Sequence, residues 1–222
     1  LRGVVLFHEY AQTAPTKGDT MLDTVLDLSH NNTLTPNSFH QFKTAGIQAV
    51  IHKATQGTGM VDICFADRKA RAAAVGILFG AYHFADRGDP VAQADHFISV
   101  TQGCHLRVLD WETTDMTYSG AVAFVNRIKQ VCGHYPLLYS GQAFLAVQIL
   151  TQGITTPDTT TLSKCGLWLA RYSTKAPDVP KAWPAGFTLW QHTSTSTIPG
   201  VVGNVDRSYF NGDSAALKAL FS

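Results

Sequence analysis

Three consecutive pieces decide the fold: Ile77-Leu-Phe-Gly-Ala-Tyr-His-Phe84, then Pro90–Val100, then Leu106-Arg-Val-Leu-Asp-Trp-Glu112. The first is a short apolar run rich in bulky residues and reads as a buried strand. Pro90 stands where a helix tolerates proline, in its first turn, and the apolar spacing of Val91–Val100 follows it. The third piece is another apolar strand, ending in two acids. Strand, helix and strand in that order make a βαβ unit, whose crossover helix leaves the two strands parallel.

The same alternation extends in both directions. Toward the N-terminus, Thr24–Ser29 reads as a strand, Pro36–Thr44 as a helix ended by Gly46, Ile47–Lys53 as a strand, and Cys64–Val75 as a helix stopped by Gly76. Toward the C-terminus, Ser119–Val131 and Gln142–Leu150 read as helices flanking the strand Tyr135–Ser140. The rhythm then changes. Thr151–Ser163 is Thr-rich and reads as a surface loop. Gly166–Arg171, Phe187–His192 and Val201–Asp206 read as strands joined by Pro/Gly/Thr loops, and Ser214–Phe221 as a final helix.

The fold class is therefore α/β, with five βα units followed by about three further strands. Periodicity alone does not separate a closed barrel from an open doubly wound sheet. The acids and aromatics bear on the choice: Asp27, Tyr82, Asp110, Glu112, Tyr139, Trp190 and Asp206 all fall at the C-terminal ends of strand candidates, the face where barrel active sites lie. An irregular TIM-like barrel is the expected architecture. Residues 1–22 are expected to be an N-terminal extension of unknown role, and residues 23–222 one catalytic barrel. Val4-Val5-Leu6-Phe7 is too short for a secretory apolar region, so Leu1–Thr20 reads as an extension or processed terminus, with Met21 a candidate internal start.

The chain has 222 residues, 45% hydrophobic and 15% charged, with a net charge of +1. A chain of that size buries a core without staples. The near-neutral balance argues against a nucleic-acid partner, and no stretch is long enough for a membrane span. Cys64, Cys104, Cys132 and Cys165 show no metal-binding spacing and read as small buried hydrophobes, with one disulfide as the alternative.

Asp110-Trp111-Glu112 is the sharpest chemical feature. Alternation along a strand sends residues i and i+2 to one side, so both carboxylates are expected on one face with Trp111 turned into packing. Two close carboxylates resist joint ionisation, which leaves one protonated to higher pH. A protonated acid beside an ionised partner is the equipment of glycoside hydrolysis. A D-x-E triplet by itself is common on surfaces; its place at the end of a Leu-Val-Leu strand, with Asp27 and Asp206 at other strand ends, is what gives it weight. Tyr82, Tyr139, Tyr172 and Trp190 offer rings for sugar faces. Each of these four, taken singly, reads better as rim or core packing.

The motifs resemble, in order, those of glycoside hydrolase family 25, the Chalaropsis-type lysozymes or N-acetylmuramidases. Asp27-Leu-Ser-His30, Ile51-His-Lys-Ala-Thr-Gln-Gly57, Gly80-Ala-Tyr-His-Phe84, Leu109-Asp-Trp-Glu112, Tyr135-Pro-Leu-Leu-Tyr-Ser140, Leu167-Trp-Leu-Ala-Arg-Tyr172, Leu189-Trp-Gln-His192, and Asp206 followed by Phe210-Asn-Gly212 carry the resemblance. It implies cleavage of the β-1,4 bond from N-acetylmuramic acid to N-acetylglucosamine, with Glu112 as general acid. It implies Asp110 as nucleophile or as the residue orienting the substrate's acetamido group. Asp27, Asp206, Tyr82, Tyr139, Tyr172, Trp190, Gln191 and Lys53 would line the cleft, and no metal or organic cofactor is implied. Gln56 departs from the pattern, which usually has Glu there; the departure puts a salt bridge to Lys53 in doubt and leaves the acid pair intact.

The resemblance implies a monomer acting on peptidoglycan strands outside the cytoplasm, by an export route the sequence does not name. A phage lysis enzyme, a secreted lysozyme and a toxin delivered into a rival's periplasm all fit. Only the last would bring an immunity or inhibitor protein as partner. Two other readings compete. One is a catalytically inactive carbohydrate-binding barrel, disfavoured because both carboxylates are present. The other is a metal-dependent barrel hydrolase using His52, His83 or His192, disfavoured because no H-x-H pair or H-E-x-x-H occurs and lone strand histidines more often serve as hydrogen-bonded core residues.

Overall fold

The computed structural model describes residues 21–152 and 161–222. Eight strands close a barrel: β1 (Met21–Leu28), β2 (Ala49–Gln56), β3 (Leu78–Phe84), β4 (Arg107–Asp110), β5 (Leu137–Gly141), β6 (Leu167–Ala170), β7 (Leu189–Ser196) and β8 (Val205–Asn211). Strands β1 to β7 pair in parallel, with β1 beside β2; β8 runs antiparallel to both β7 and β1 and closes the ring.

Each of the first five strands is followed by a helix: α1 (Ser38–Thr44), α2 (Phe65–Val75), α3 (Pro90–Val100), α4 (Tyr118–Cys132) and α5 (Gln142–Thr151). The helix ends are written in the sequence. Asp89 accepts from the backbone N–H groups of Val91 and Ala92 at the start of α3, and Thr117 from Gly120 at the start of α4. Gly76 and Gly133 take the left-handed conformation that ends α2 and α4. The expected irregular barrel with five βα units and three further strands is the fold found.

Alternation sorts the side chains into two cores. Val25, Ile51, Leu106, Val108, Leu137, Leu189 and Phe210 fill the barrel interior. Leu109 and Trp111 point the other way, into the layer shared with Phe97, Phe124, Val125 and Ile128 of α3 and α4. Leu26, Leu28 and Val50 pack beneath Phe39 and Phe42 of α1 and Ala72 and Val75 of α2. After β8, α6 (Ser214–Leu220) packs Leu217 against the interior cluster. Because β8 is antiparallel, its end and therefore α6 lie at the barrel end opposite the mouth.

Three expectations change. Met21 and Leu22, assigned to the extension, belong to β1, where Leu22 pairs with Phe210; Leu1–Thr20 lies outside the described residues. Val201–Asp206 is not one strand. Gly203, at φ 89°, breaks it into a two-residue ladder, Val201–Val202 against Thr33–Leu34, and the start of β8. Most of the expected loop Thr151–Ser163 also lies outside the described residues, while Thr161–Lys164 forms a 3₁₀ turn. All four cysteines are free thiols, so the disulfide alternative does not hold; Cys104 and Cys165 are buried in the core as the packing reading expects, whereas Cys64 and Cys132 are only half-buried.

Candidate active site

The residues that fill the barrel interior also build its mouth. Two positions beyond inward-facing Val25, Ile51, Val108, Leu137 and Leu189 come Asp27, Lys53, Asp110, Tyr139 and Gln191. Five of the seven parallel strands thus carry an apolar residue in the barrel and a polar one two positions on, at the C-terminal end. The antiparallel β8 reaches the same mouth with its beginning: Asp206 is paired with Asp27 across the ladder. The resulting cleft is lined by Asp27, Ser29, Asn31, Lys53, Tyr82, Phe84, Asp110, Glu112, Tyr139, Trp168, Gln191 and Asp206.

Asp110 ends β4 and is only 8% exposed; its Oδ1 has no protein hydrogen-bond partner. Trp111 continues the pleat outward. Its backbone N–H donates to the Tyr139 carbonyl, its indole N–H to the Met116 carbonyl, and its ring is buried. Glu112 therefore returns to the side of Asp110, as expected, but beyond the strand and at the exposed rim. The outward anchoring of Trp111 holds the two carboxylates over one cleft.

Burial raises all four carboxyls above the ordinary range, and neighbouring carboxylate charges add to this at Asp27, Asp110 and Glu112. Asp110 is raised well above it, by burial first, then by Glu112 and Asp27, with Lys53 pulling the other way. Asp27 is raised well above it by burial and then by Asp206, with which its carboxyl shares a hydrogen bond. Asp206 itself is raised by burial, against which the hydrogen bond from Asp27 works. Glu112, despite its exposed position, loses enough water to be raised, and the neighbour that adds most to this is Asp206 rather than Asp110. The deep pair, Asp27 and Asp110, thus keeps protons to higher pH than an isolated carboxyl.

Gln191 organises one wall. Its Nε2 donates to both oxygens of Asp27 at 3.1 and 3.0 Å, and its Oε1 accepts from the hydroxyls of Tyr139 at 2.9 Å and Tyr172 at 3.2 Å. The amide orientation is fixed by its partners at both ends. Tyr172 stands at the rim, 60% exposed. Tyr82 and Tyr139 are inward and buried enough to keep their hydroxyls protonated well beyond the usual range.

Trp190 is a correction. It sits between inward Leu189 and Gln191 and so points out of the barrel, 2% exposed, with its indole N–H donating to the Arg171 carbonyl and its ring beside Phe187, His192 and Tyr209. The cleft tryptophan is instead Trp168, which packs edge-on against Tyr139 at 4.8 Å and donates to Ser208. Sequence reasoning also passed over Ser29, Asn31 and Phe84. Two of them carried a signal: Ser29 lies two residues beyond Asp27, and Phe84 two beyond Tyr82.

The histidines weighed as metal ligands are engaged elsewhere. His52 lies between the Lys53 carbonyl and Arg68, and His83 between Thr55 and Gln93; burial pushes both down to about 4, so they are neutral. His192 pairs with Asp23. None of the three lines the cleft. Arg68 and Asp62 pin the β1–α1 loop from behind: Arg68 donates to the carbonyls of Ser29 and Asn32, and Asp62 accepts from His30.

Comparison with known proteins agrees with the arrangement. Lysozyme M1 of Streptomyces globisporus is 32% identical over 194 residues, which cover 80% of this chain and 65% of that protein. The chain thus spans just under two thirds of that relative's length. The N,O-diacetylmuramidase of a Chalaropsis species is 27% identical over 207 residues, covering 80% of this chain and 89% of that one. Among solved structures, the bacterial lysozyme of Streptomyces coelicolor superposes with a TM-score of 0.78 at 28% identity, over 93% of this chain and 98% of that one. The profile of glycosyl hydrolases family 25 matches residues 26–201, a span running from the end of β1 through β7 and including the cleft residues Asp27, Asp110 and Glu112. This barrel, with its ring of carboxylates at the mouth, belongs to glycosyl hydrolases family 25.

Proposed function

We propose that this chain is a peptidoglycan hydrolase, cleaving the β-1,4 bond between N-acetylmuramic acid and N-acetylglucosamine. The observation that carries the reading is the pair Asp110 and Glu112 held over one cleft, one buried and one at the rim, in a chain of this family. Glu112 is the general acid: its raised pKa keeps the proton that the leaving oxygen needs. Asp110 works on the other side of the scissile bond, as nucleophile or by orienting the substrate's acetamido group. Its unpartnered Oδ1 is costly to bury in the free protein and is satisfied when a substrate group meets it.

Asp27, Asp206, Tyr82, Tyr139, Tyr172, Trp168, Gln191 and Lys53 position the sugar. Peptidoglycan places the work outside the cytoplasm; no helix among the described residues is long and apolar enough to cross a membrane. Residues 21–222 act as one catalytic unit and as a monomer. The test is clearing of purified peptidoglycan with and without a chelator. Clearing at an unchanged rate supports a carboxylate mechanism, and loss with the chelator contradicts it. The two roles of Asp110 separate by trapping: a covalent glycosyl adduct on Asp110 marks the nucleophile, tight binding of an oxazoline mimic marks acetamide assistance, and inverted product configuration would exclude both.

A further inference from the structure

Lys53 and Gln56 lie three residues apart on one strand, a spacing that ordinary alternation would send to opposite faces. A β-bulge removes the conflict. Against β3, Lys53 pairs with Tyr82 but Thr55 pairs with His83, which leaves Ala54 as the extra residue. Lys53 therefore faces the cleft, Thr55 turns outward to bond His83, and Gln56 comes back to the side of Lys53, opposite Phe84. The Lys53 ammonium donates to Gln56 Oε1 at 2.7 Å and stands over the Phe84 ring at 4.8 Å. Gln56 Nε2 donates in turn to Asp86 Oδ2 at 3.1 Å. Asp86 is further held through Oδ1 by the Arg87 backbone N–H at 2.7 Å.

A neutral amide is thus inserted between a cation and the carboxylate that would otherwise pair with it. Among the described residues Lys53 makes no ion pair, although it is buried to 9% exposure. The charged groups acting on it are Asp110, Asp62, Asp86 and Glu112, with Asp110 the strongest, while His83 behind it is neutral. We propose that Gln56 is a positioning residue: it anchors the Lys53 ammonium at the cleft without neutralising it, and so directs that charge onto Asp110 and Glu112.

The consequence follows from sign. Burial, Glu112 and Asp27 oppose ionisation of Asp110, and Lys53 favours it. A carboxylate in place of the amide would pair with Lys53 and add a negative charge, and both changes make Asp110 harder to ionise. This inference rests on the proposed role of Asp110 only for its effect on rate; the ionisation itself is measurable without substrate.

The experiment is carboxyl NMR titration of Asp110 in the parent, in Gln56→Glu and in Asp86→Asn, alongside pH–rate profiles of peptidoglycan clearing. Gln56→Glu is expected to raise the Asp110 midpoint by about half to one pH unit, and to move the acid limb of the rate profile the same way. Asp86→Asn keeps an acceptor for Gln56 and is expected to move the midpoint by less than about 0.2 unit, since the amide already separates Asp86 from the ammonium. An unchanged or lowered midpoint in Gln56→Glu overturns the proposal. So does a fall of about half a unit or more in Asp86→Asn, which would mean that Asp86 competes directly for the charge and that Gln56 does not insulate it; this second variant decides the matter if the first does not fold. A parent that never clears peptidoglycan contradicts the proposed function and leaves the titration result standing on its own.

Discussion

At Glu112 the neighbour that matters is Asp206. The two acids come from strands far apart in sequence, and only the antiparallel course of β8 brings Asp206 to the mouth where β4 ends. Removing the charge of Asp206 should therefore ease ionisation of Glu112. Asp206→Asn is expected to lower the Glu112 titration midpoint and, on the role proposed for Glu112 as general acid, to pull the alkaline limb of the rate profile toward acid pH. A midpoint that stays or rises, read by carboxyl NMR, would detach Asp206 from Glu112. Much at this scale was legible in the sequence. Asp110 and Glu112 announced themselves by i,i+2 spacing at the end of an apolar strand, and Asp27 by the same position on another. Trp190 misled because a ring at a strand end has no direction until an inward neighbour fixes the alternation; Leu189 and Gln191 are those neighbours. Trp168 went unread because its inward side is set by pairing with Tyr139 on β5.

Elements were read where periodicity is local and blurred where pairing partners decide. The helices were found within a few residues because their period is local and some of their ends are marked chemically, Pro90 in the first turn of α3 and Gly76 at the end of α2. The bulge at Ala54 left no mark in composition, yet it sets which side Lys53, Thr55 and Gln56 occupy. The late strands were harder. Val201–Asp206 looks continuous as an apolar-to-acid run, and what breaks it is the backbone turn at Gly203. The entry to β6 is tighter still. A Cβ on Gly166 would lie 2.6 Å from Leu137 Cδ2 and 2.8 Å from Thr188 Oγ1, so the strand can approach its neighbours only without a side chain. Gly166→Ala is expected to destabilise the fold by about 1–3 kcal/mol through overpacking. The denaturation midpoint measures it, and an unshifted midpoint would mean that β6 has room to give.

The whole barrel concentrates four carboxyls at one end, at a cost in stability. Their folded-state pKa values lie above the unfolded ones, so folding favours the protonated forms; this contribution is full at low pH and is lost as pH rises through the folded values. Buried His52 and His83, pushed down to about 4, act oppositely: their contribution is present above about 6.5 and is lost as pH falls toward 4. The two trends overlap, so the informative quantity is a difference between proteins. Asp110→Asn should unfold at a temperature that falls less than the parent's between about pH 5 and pH 8, and equal slopes would mean that Asp110 ionises freely in the fold. The apolar interior and the charged mouth come from one alternation carried around the ring, which is why the fold and much of the cleft were readable together. The central claim is that Glu112, working with Asp110, breaks the muramyl bond. The measurement that tests it most directly is the release of reducing ends from purified peptidoglycan by the parent and by Glu112→Gln, with the new end identified after borohydride reduction. The account predicts N-acetylmuramic acid at the new reducing end, and a loss of about 10²–10⁴-fold in a variant that remains folded. New ends at N-acetylglucosamine, or a variant that cleaves at the parent's rate, would contradict it.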